Sequence, residues 1–118
     1  MEKQTYTYDE AFAKSLEYFK GDELAARVWV NKYAVKDSFG NIYEQSPEDM
    51  HWRLANEVAR VEAKYTNGLS AQELFELFDH FKYIVPQGSP MTGIGNDFQV
   101  ASLSNCFVIG MEGAADSY

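Results

Sequence analysis

The sequence predicts a mainly α-helical chain of about four helices followed by one β-strand. Two observations carry this prediction. Apolar residues recur at helical spacing through the first 85 residues. Between Phe98 and Ile109 the period changes towards two, and the stretch ends in the strand-forming run CFVIG. Turn-forming residues separate the two parts, so we divide the chain into a helical region, 1–85, and a loop-and-strand region, 86–118.

Each predicted helix begins at a residue able to accept a hydrogen bond from an unpaired backbone N–H of its first turn. Gly21 can end the first helix in the left-handed conformation, and Pro86 is expected to end the fourth. Between the second and third helices, KDSFGNIYEQ reads as a loop or tight hairpin around Gly40. The predicted caps, in chain order, are Thr7 with Glu10, Asp22, Ser46 ahead of Pro47, and Ser70 with Glu73.

Composition and charge exclude several classes of protein. The 118 residues carry a formal charge of −8 and no basic run, which disfavours a nucleic-acid partner. No apolar run approaches the length of a membrane span, and the polar stretch MEKQTYTYDE has no signal-peptide core. A single cysteine cannot form an internal disulfide. We therefore expect a cytoplasmic protein without a membrane or nucleic-acid partner.

Cys106, the only cysteine, lies in the predicted strand. A lone cysteine in an apolar strand is most often an inert core residue, and the alternative is a reacting thiol. In an ideal strand Ser104 and Cys106 share one face, whereas Asn105 lies on the other. This polar setting is weak support for reactivity, so residue pattern alone leaves both interpretations open.

The glycine-rich segment GSPMTGIGN, residues 88–96, offers hydroxyl donors and a backbone that could approach an anion. The simpler interpretation is an ordinary loop. It is neither a Rossmann fingerprint nor a P-loop, because those lead from a strand into a helix. His51 and His80 lie on different predicted helices without a second ligand at metal spacing, so we predict no metal site.

Two long stretches resemble a known family. WVNKYAVKDSFGNIYEQSPEDMHWRLANEVARVEAKY and KYIVPQGSPMTGIGNDFQVASLSNCFVIG are similar to the N-terminal part of the large, catalytic subunit of ribonucleotide reductases, most closely of the adenosylcobalamin-dependent class. The segment MEGAADSY also looks like the sequence that follows. The resemblance implies a helical region ahead of a ten-stranded α/β barrel. Residues 86–118 would then hold a substrate loop and the first barrel strand, whose partner strands lie elsewhere.

The resemblance also implies residue roles. Cys106 would be one of two reducing cysteines that end as a disulfide, while a thiyl radical on a third cysteine removes the 3′ hydrogen of the ribose. Ser89 matches a position that holds the substrate phosphate. Ser104 and Asn105 flank the cysteine as substrate contacts, although the family commonly has Ser where Asn105 stands. The substrate would be a ribonucleoside diphosphate or triphosphate.

The same resemblance implies what these residues lack. The radical cysteine, the second reducing cysteine and the shuttle cysteines cannot be here, so the isolated chain is expected to be inactive. Adenosylcobalamin, nucleotide effectors and a thioredoxin-type reductant are implied for the complete enzyme, whose remaining chain would be the main partner. Two other interpretations remain: a small helical interaction module without chemistry, and a homo-oligomer in which the orphan strands pair between chains.

Overall fold

The computed structural model describes residues 3–104 and 106–110. Within them the chain is mainly helical, as predicted, with a short 3₁₀ turn, Asp79–Phe81, after the fourth helix. None of the helices in these residues is long and apolar enough to cross a membrane. The helices are α1 (Tyr8–Tyr18), α2 (Glu23–Lys32), α3 (Pro47–Glu62), α4 (Ala71–Phe78) and α5 (Gly88–Gly93).

Three of the four predicted helix caps are confirmed. The Thr7 hydroxyl accepts from Glu10 N, and the Glu10 carboxylate accepts from Thr7 N, which completes a capping box. Asp22 accepts from Ala25 N at the start of α2. Ser70 caps α4 in the same way, accepting from the N–H three residues later. These signals are local, so they could be read without knowledge of the tertiary structure.

Ser46 is a partial correction. It precedes Pro47 at the start of α3, as predicted, but its side chain makes no capping hydrogen bond. Asp49 instead accepts from Gln45 N at 3.0 Å. Ser46 is buried, and the Asp49 carboxylate in the first turn of α3 fixes the residue before Ser46 to the start of the helix.

The predicted end of α4 at Pro86 is wrong. The helix ends at Phe78, and His80 and Phe81 both have φ of +55°, a left-handed conformation that cannot continue a helix. The N–H groups of Tyr83 and Ile84 both donate to Leu77 O, which reverses the chain. The reversal depends on tertiary contacts of the turn, because the His80 N–H donates to the distant hydroxyl of Tyr18.

The turn segment after Pro86 also contains a helix that we did not predict. Residues Gly88–Gly93 form α5, although Gly and Pro are poor helix formers. Pro90 is tolerated because it lies in the first turn, where a backbone N–H has no helical partner. The division of the chain at residue 86 stays a prediction.

The predicted strand from Phe98 to Ile109 is not observed where the structure describes it. Residues 98–104 and 106–110 are irregular, and Val100 and Val108 are fully exposed. The physical reason is that strand backbone groups need a neighbouring strand, and this stretch has none among the described residues. Outside it, antiparallel pairing within the described residues is limited to two isolated bridges of Ile42, with Tyr6 and with Lys36.

The core lies along α3, which packs on α4 and on the 3₁₀ turn, while α1 packs on α2. Trp29 of α2 joins the α1–α2 pair to α3, since its indole N–H donates to the sulfur of Met50 at 3.3 Å. Trp52 of α3 stacks on Phe75 of α4 with ring centroids 4.0 Å apart. The buried cluster comprises Ala11, Trp29, Val30, Ala34, Ile42, Met50, Leu54, Ala55, Leu74, Phe78 and Met91.

Candidate functional site

A buried ion pair joins α3 to the hairpin that follows α2, residues 35–44, which the Lys36–Ile42 bridge closes. Arg53 Nε donates to Glu44 Oε2 at 3.0 Å, and the two side chains are only 11% and 7% exposed. Glu44 Oε1 also accepts from Val35 N at 3.0 Å. Burial raises the pKa of Glu44, and the guanidinium of Arg53 opposes that rise. The pair therefore fixes the hairpin to the middle of α3.

The same guanidinium holds α5. Arg53 Nη1 donates to Ile94 O, and Nη2 donates to Met91 O. The last carbonyls of a helix have no partner within it and carry partial negative charge, which a cation stabilises. Arg53 thus satisfies the C-terminal end of α5 while its other face stays on Glu44.

Gly95 makes the close approach of this loop to Arg53 possible. Its φ is +71°, in the left-handed region that favours glycine. A Cβ at this position would lie 2.9 Å from Arg53 Cγ and 3.4 Å from Arg53 O. Glycine is required here by conformation and by space together.

Ser89, the predicted phosphate contact, lies on α5 at the edge of a cleft of about 520 Å³ between α2 and α5. The cleft also receives the ammonium-bearing Lys32, together with Tyr33. Thr92 Oγ1 donates back to the carbonyls of Gly88 and Ser89, at 3.2 and 3.3 Å, which orders the first turn. The cleft combines one cation with hydroxyl groups, a combination that suits an anion.

The residues around Cys106 lie on the irregular segment that follows α5. Cys106 is a free, exposed thiol, and Ser104 N donates to Ser102 Oγ at 3.3 Å. Asn105 lies outside the described residues. A Cβ on Gly93 would lie 3.1 Å from Ala101 Cβ and from Leu103 Cδ2. The segment that leads to Cys106 therefore crosses the end of the helix that carries Ser89.

Comparison with known families decides the relationship. Residues 19–93 match the family model described as "Ribonucleotide reductase, all-alpha domain". The chain belongs to this family. No curated protein and no solved structure matches it. The family places the chain with the large subunit of ribonucleotide reductases, oxidoreductases of deoxyribonucleotide synthesis, and so confirms the coarse form of the sequence resemblance.

The matched span includes α2 to α5 and therefore Ser89 and the Arg53–Glu44 pair, whereas Cys106 lies beyond it. Arg53, Glu44 and Lys32 were not among the residues predicted from the sequence. A signal for Arg53 was present, since it stands three residues after Met50 and next to Leu54, within the buried side of α3. A charged residue among core positions requires a partner, and this requirement could have directed attention to Glu44.

A second polar cluster surrounds His51, which stands two residues before Arg53 on α3. Tyr18 Oη donates to Asp79 Oδ1 at 3.0 Å and accepts from His80 N at 2.6 Å. His51 is fully buried, with Nδ1 3.4 Å from Tyr18 Oη, and its Nε2 has no hydrogen-bond partner among the described residues. This cluster holds the reversed chain after α4 against α1 and α3.

Burial dominates the electrostatics of this cluster. It lowers the pKa of His51 from 6.5 to about 4, although the Asp79 carboxylate favours the charged form. Burial also raises the pKa of Tyr18 above its ordinary value. Both side chains are therefore neutral near pH 7. In the described residues, no group of three or more His, Cys, Asp or Glu side chains could hold a metal ion.

The His51 cluster predicts acid destabilisation. Between pH 6.5 and 4 the unfolded chain binds a proton at residue 51 that the folded chain rejects, so the free energy of unfolding falls as pH falls. The loss should be about 2–3 kcal/mol between pH 7 and 4.5. Urea unfolding at both pH values measures it. His51→Asn, which keeps a polar group near Nδ1, should lose this contribution, and His80→Asn should retain it. An unchanged pH dependence in His51→Asn would contradict the assignment.

The Gly95 position predicts a difference between two glycine substitutions. Gly95→Ala must adopt a left-handed φ and displace Arg53, whereas Gly40→Ala, at φ +87° with nothing within 4 Å, meets only the first cost. Each left-handed alanine should cost about 1 kcal/mol, and Gly95→Ala about 1 kcal/mol more. Thermal unfolding of both variants compares them. Equal losses would show that Arg53 does not crowd residue 95.

Proposed function

We propose that this chain is the N-terminal part of a ribonucleotide reductase catalytic subunit that contributes one reducing cysteine, Cys106, and one substrate-phosphate contact, Ser89. The family match over residues 19–93 is the observation that carries the proposal. The geometry adds that the helix carrying Ser89 and the segment leading to Cys106 meet at Gly93. A phosphate contact and a thiol on neighbouring segments are what a nucleotide reductase needs at one site.

The proposed chemistry needs a thiol at residue 106. A thiyl radical on another cysteine removes the ribose 3′ hydrogen and later returns it. The Cys106 thiol gives a proton to the 2′ hydroxyl, which leaves as water. Cys106 and a second cysteine supply the two electrons and the second hydrogen that replace this hydroxyl at C2′, and they end as a disulfide. Because Cys106 is the only cysteine here, the other cysteines lie outside these 118 residues, and a thioredoxin-type dithiol would reduce the pair again.

Cys106 is a free thiol, as this role requires. A reducing cysteine must reach substrate and exchange disulfides, and both require an accessible sulfur. Ser104 and Asn105 would contact the substrate beside it, Asn105 through an amide where the family commonly has a hydroxyl.

The cleft beside α5 supports the phosphate contact. Ser89 can offer a hydroxyl there, and Lys32 brings positive charge from the end of α2. The Lys32 ammonium lies 5.8 Å from the ring of its neighbour Tyr33, which keeps it on this side of the helix. In this proposal both residues face a nucleoside diphosphate or triphosphate.

The described residues do not fit adenosylcobalamin. The apolar groove between α1, α2 and Met91 measures about 340 Å³, and a polar cleft between residues 5–10 and the loop around Gly40 measures about 680 Å³. Both lie within the range of pockets that hold drug-sized ligands. A corrin cofactor is several times larger than such a ligand. We therefore assign no residue of this chain to cobalamin or to a nucleotide effector, and no step of the proposed chemistry depends on them here.

Cys106→Ser should abolish turnover by the complete reductase that contains this chain. Serine keeps the size and a hydroxyl, but it cannot supply an electron or form a disulfide. Formation of deoxyribonucleotide should fall at least about a thousandfold, because removing one member of a chemical unit disables the whole. Gln99→Ala, on the same exposed segment, is the matched control and should stay near wild type. Retention of more than about half the activity in Cys106→Ser would exclude a reducing role.

Ser89→Ala should raise the KM for the nucleotide about tenfold with little change in kcat, because a hydrogen bond to a charged group contributes about 1.5–3 kcal/mol. Lys32→Gln should act in the same direction. Lys64→Gln removes an exposed positive charge after α3 and serves as the control for net charge. Steady-state kinetics of the complete enzyme test all three variants. An unchanged KM in Ser89→Ala would remove the phosphate contact from the proposal.

A further inference from the structure

We infer that Arg53, held by Glu44, is a positioning residue for substrate binding that acts through α5 and Ser89. This inference rests on the phosphate contact proposed for Ser89. Arg53 is not among the residues that line the cleft beside Ser89. Its guanidinium is hydrogen-bonded to Glu44 and to the carbonyls of Met91 and Ile94.

The contact geometry gives Arg53 control of the loop. Its Nε and Nη2 both point to Glu44, at 3.0 and 3.4 Å, while Nη1 and Nη2 reach the two carbonyls. Only a guanidinium presents donors in a planar fork that can serve a carboxylate and two carbonyls at once. Glu44 in turn accepts a hydrogen bond from Val35 N. Arg53 and Glu44 together therefore fix the position of α5 relative to α3 and the hairpin.

Helix α5 depends on this support. It has six residues, fewer than an isolated helix needs, and contains two Gly and one Pro. Met91, whose carbonyl Arg53 holds, is two residues from Ser89 and is buried in the core. The location of the Ser89 hydroxyl is therefore set by the bonds at Met91 and Ile94 more than by helix propensity.

Stability alone is a weak reason for such a pair. Replacing a buried ion pair by apolar residues of similar volume is often neutral or stabilising, because desolvation offsets the attraction. Positioning is a stronger reason, since a displacement of about 1 Å in a binding group can cost as much as 10²-fold in rate. A charged fork that fixes two carbonyls of a six-residue helix meets that requirement.

A double-mutant cycle in the complete reductase tests the inference, with KM for the nucleotide as the readout. Arg53→Lys keeps the charge but loses the fork, and should raise KM about tenfold, as should Ser89→Ala. If Arg53 acts through Ser89, the double variant should lie within about twofold of either single variant. A multiplicative effect, about a hundredfold, would overturn the inference while leaving the Ser89 contact in place. An unchanged KM in Ser89→Ala would instead remove the phosphate contact itself, and with it the route through which Arg53 is inferred to act.

Hydrogen exchange separates positioning from a general loss of stability. Arg53→Lys should speed amide exchange in residues 88–94 about tenfold or more and leave α1 and α2 unchanged. Leu54→Ala, which leaves a cavity in the core at the residue after Arg53, is the control for destabilisation and should not raise KM. If it raises KM as much as Arg53→Lys does, the positioning role is wrong. Glu44→Gln keeps an acceptor for Val35 N and replaces Arg53→Lys should the latter not fold; unchanged exchange and KM in Glu44→Gln would also refute the role.

Discussion

One buried guanidinium sets the arrangement of the candidate site. Arg53 links α3, the hairpin and α5 directly, because its donors are shared between Glu44 and the carbonyls of Met91 and Ile94. The Arg53 side chain also restricts which residues can stand near it. Residue 95 must be glycine to approach it, and Glu44 must be buried beside it. Burying such a pair has a free-energy cost that is offset only when every donor and acceptor is satisfied, and here the backbone completes the set.

The parts of the fold that could be predicted from sequence are those determined locally. Thr7, Asp22 and Ser70 cap their own helices, so their role depends on residues three positions away. The end of α4 and the existence of α5 depend on contacts distant in sequence, namely Tyr18 with His80 and Arg53 with Met91. Propensity favours a longer α4 and an irregular 88–93, and tertiary contacts override it in both places.

The candidate site could likewise be predicted only in part. The roles predicted for Ser89 and Cys106 came from a resemblance that extends over many residues in order, and the family match over 19–93 supports its coarse form. Arg53 and Lys32 were missed because their significance lies in what they approach, and a single sequence does not show that. The predicted strand is a different case, since its sequence pattern is clear but the backbone groups that would pair with it are absent from the described residues.

The exposed segment after Phe98 has a consequence for biosynthesis. Proteins emerge from the ribosome N-terminus first, so the helices can pack before the segment that follows them is complete. During that interval Val100, Phe107, Val108 and Ile109 face water on an unpaired backbone of high β-propensity, the type of segment that nucleates intermolecular sheets. The protein would then depend on chaperones until another segment or chain covers this stretch.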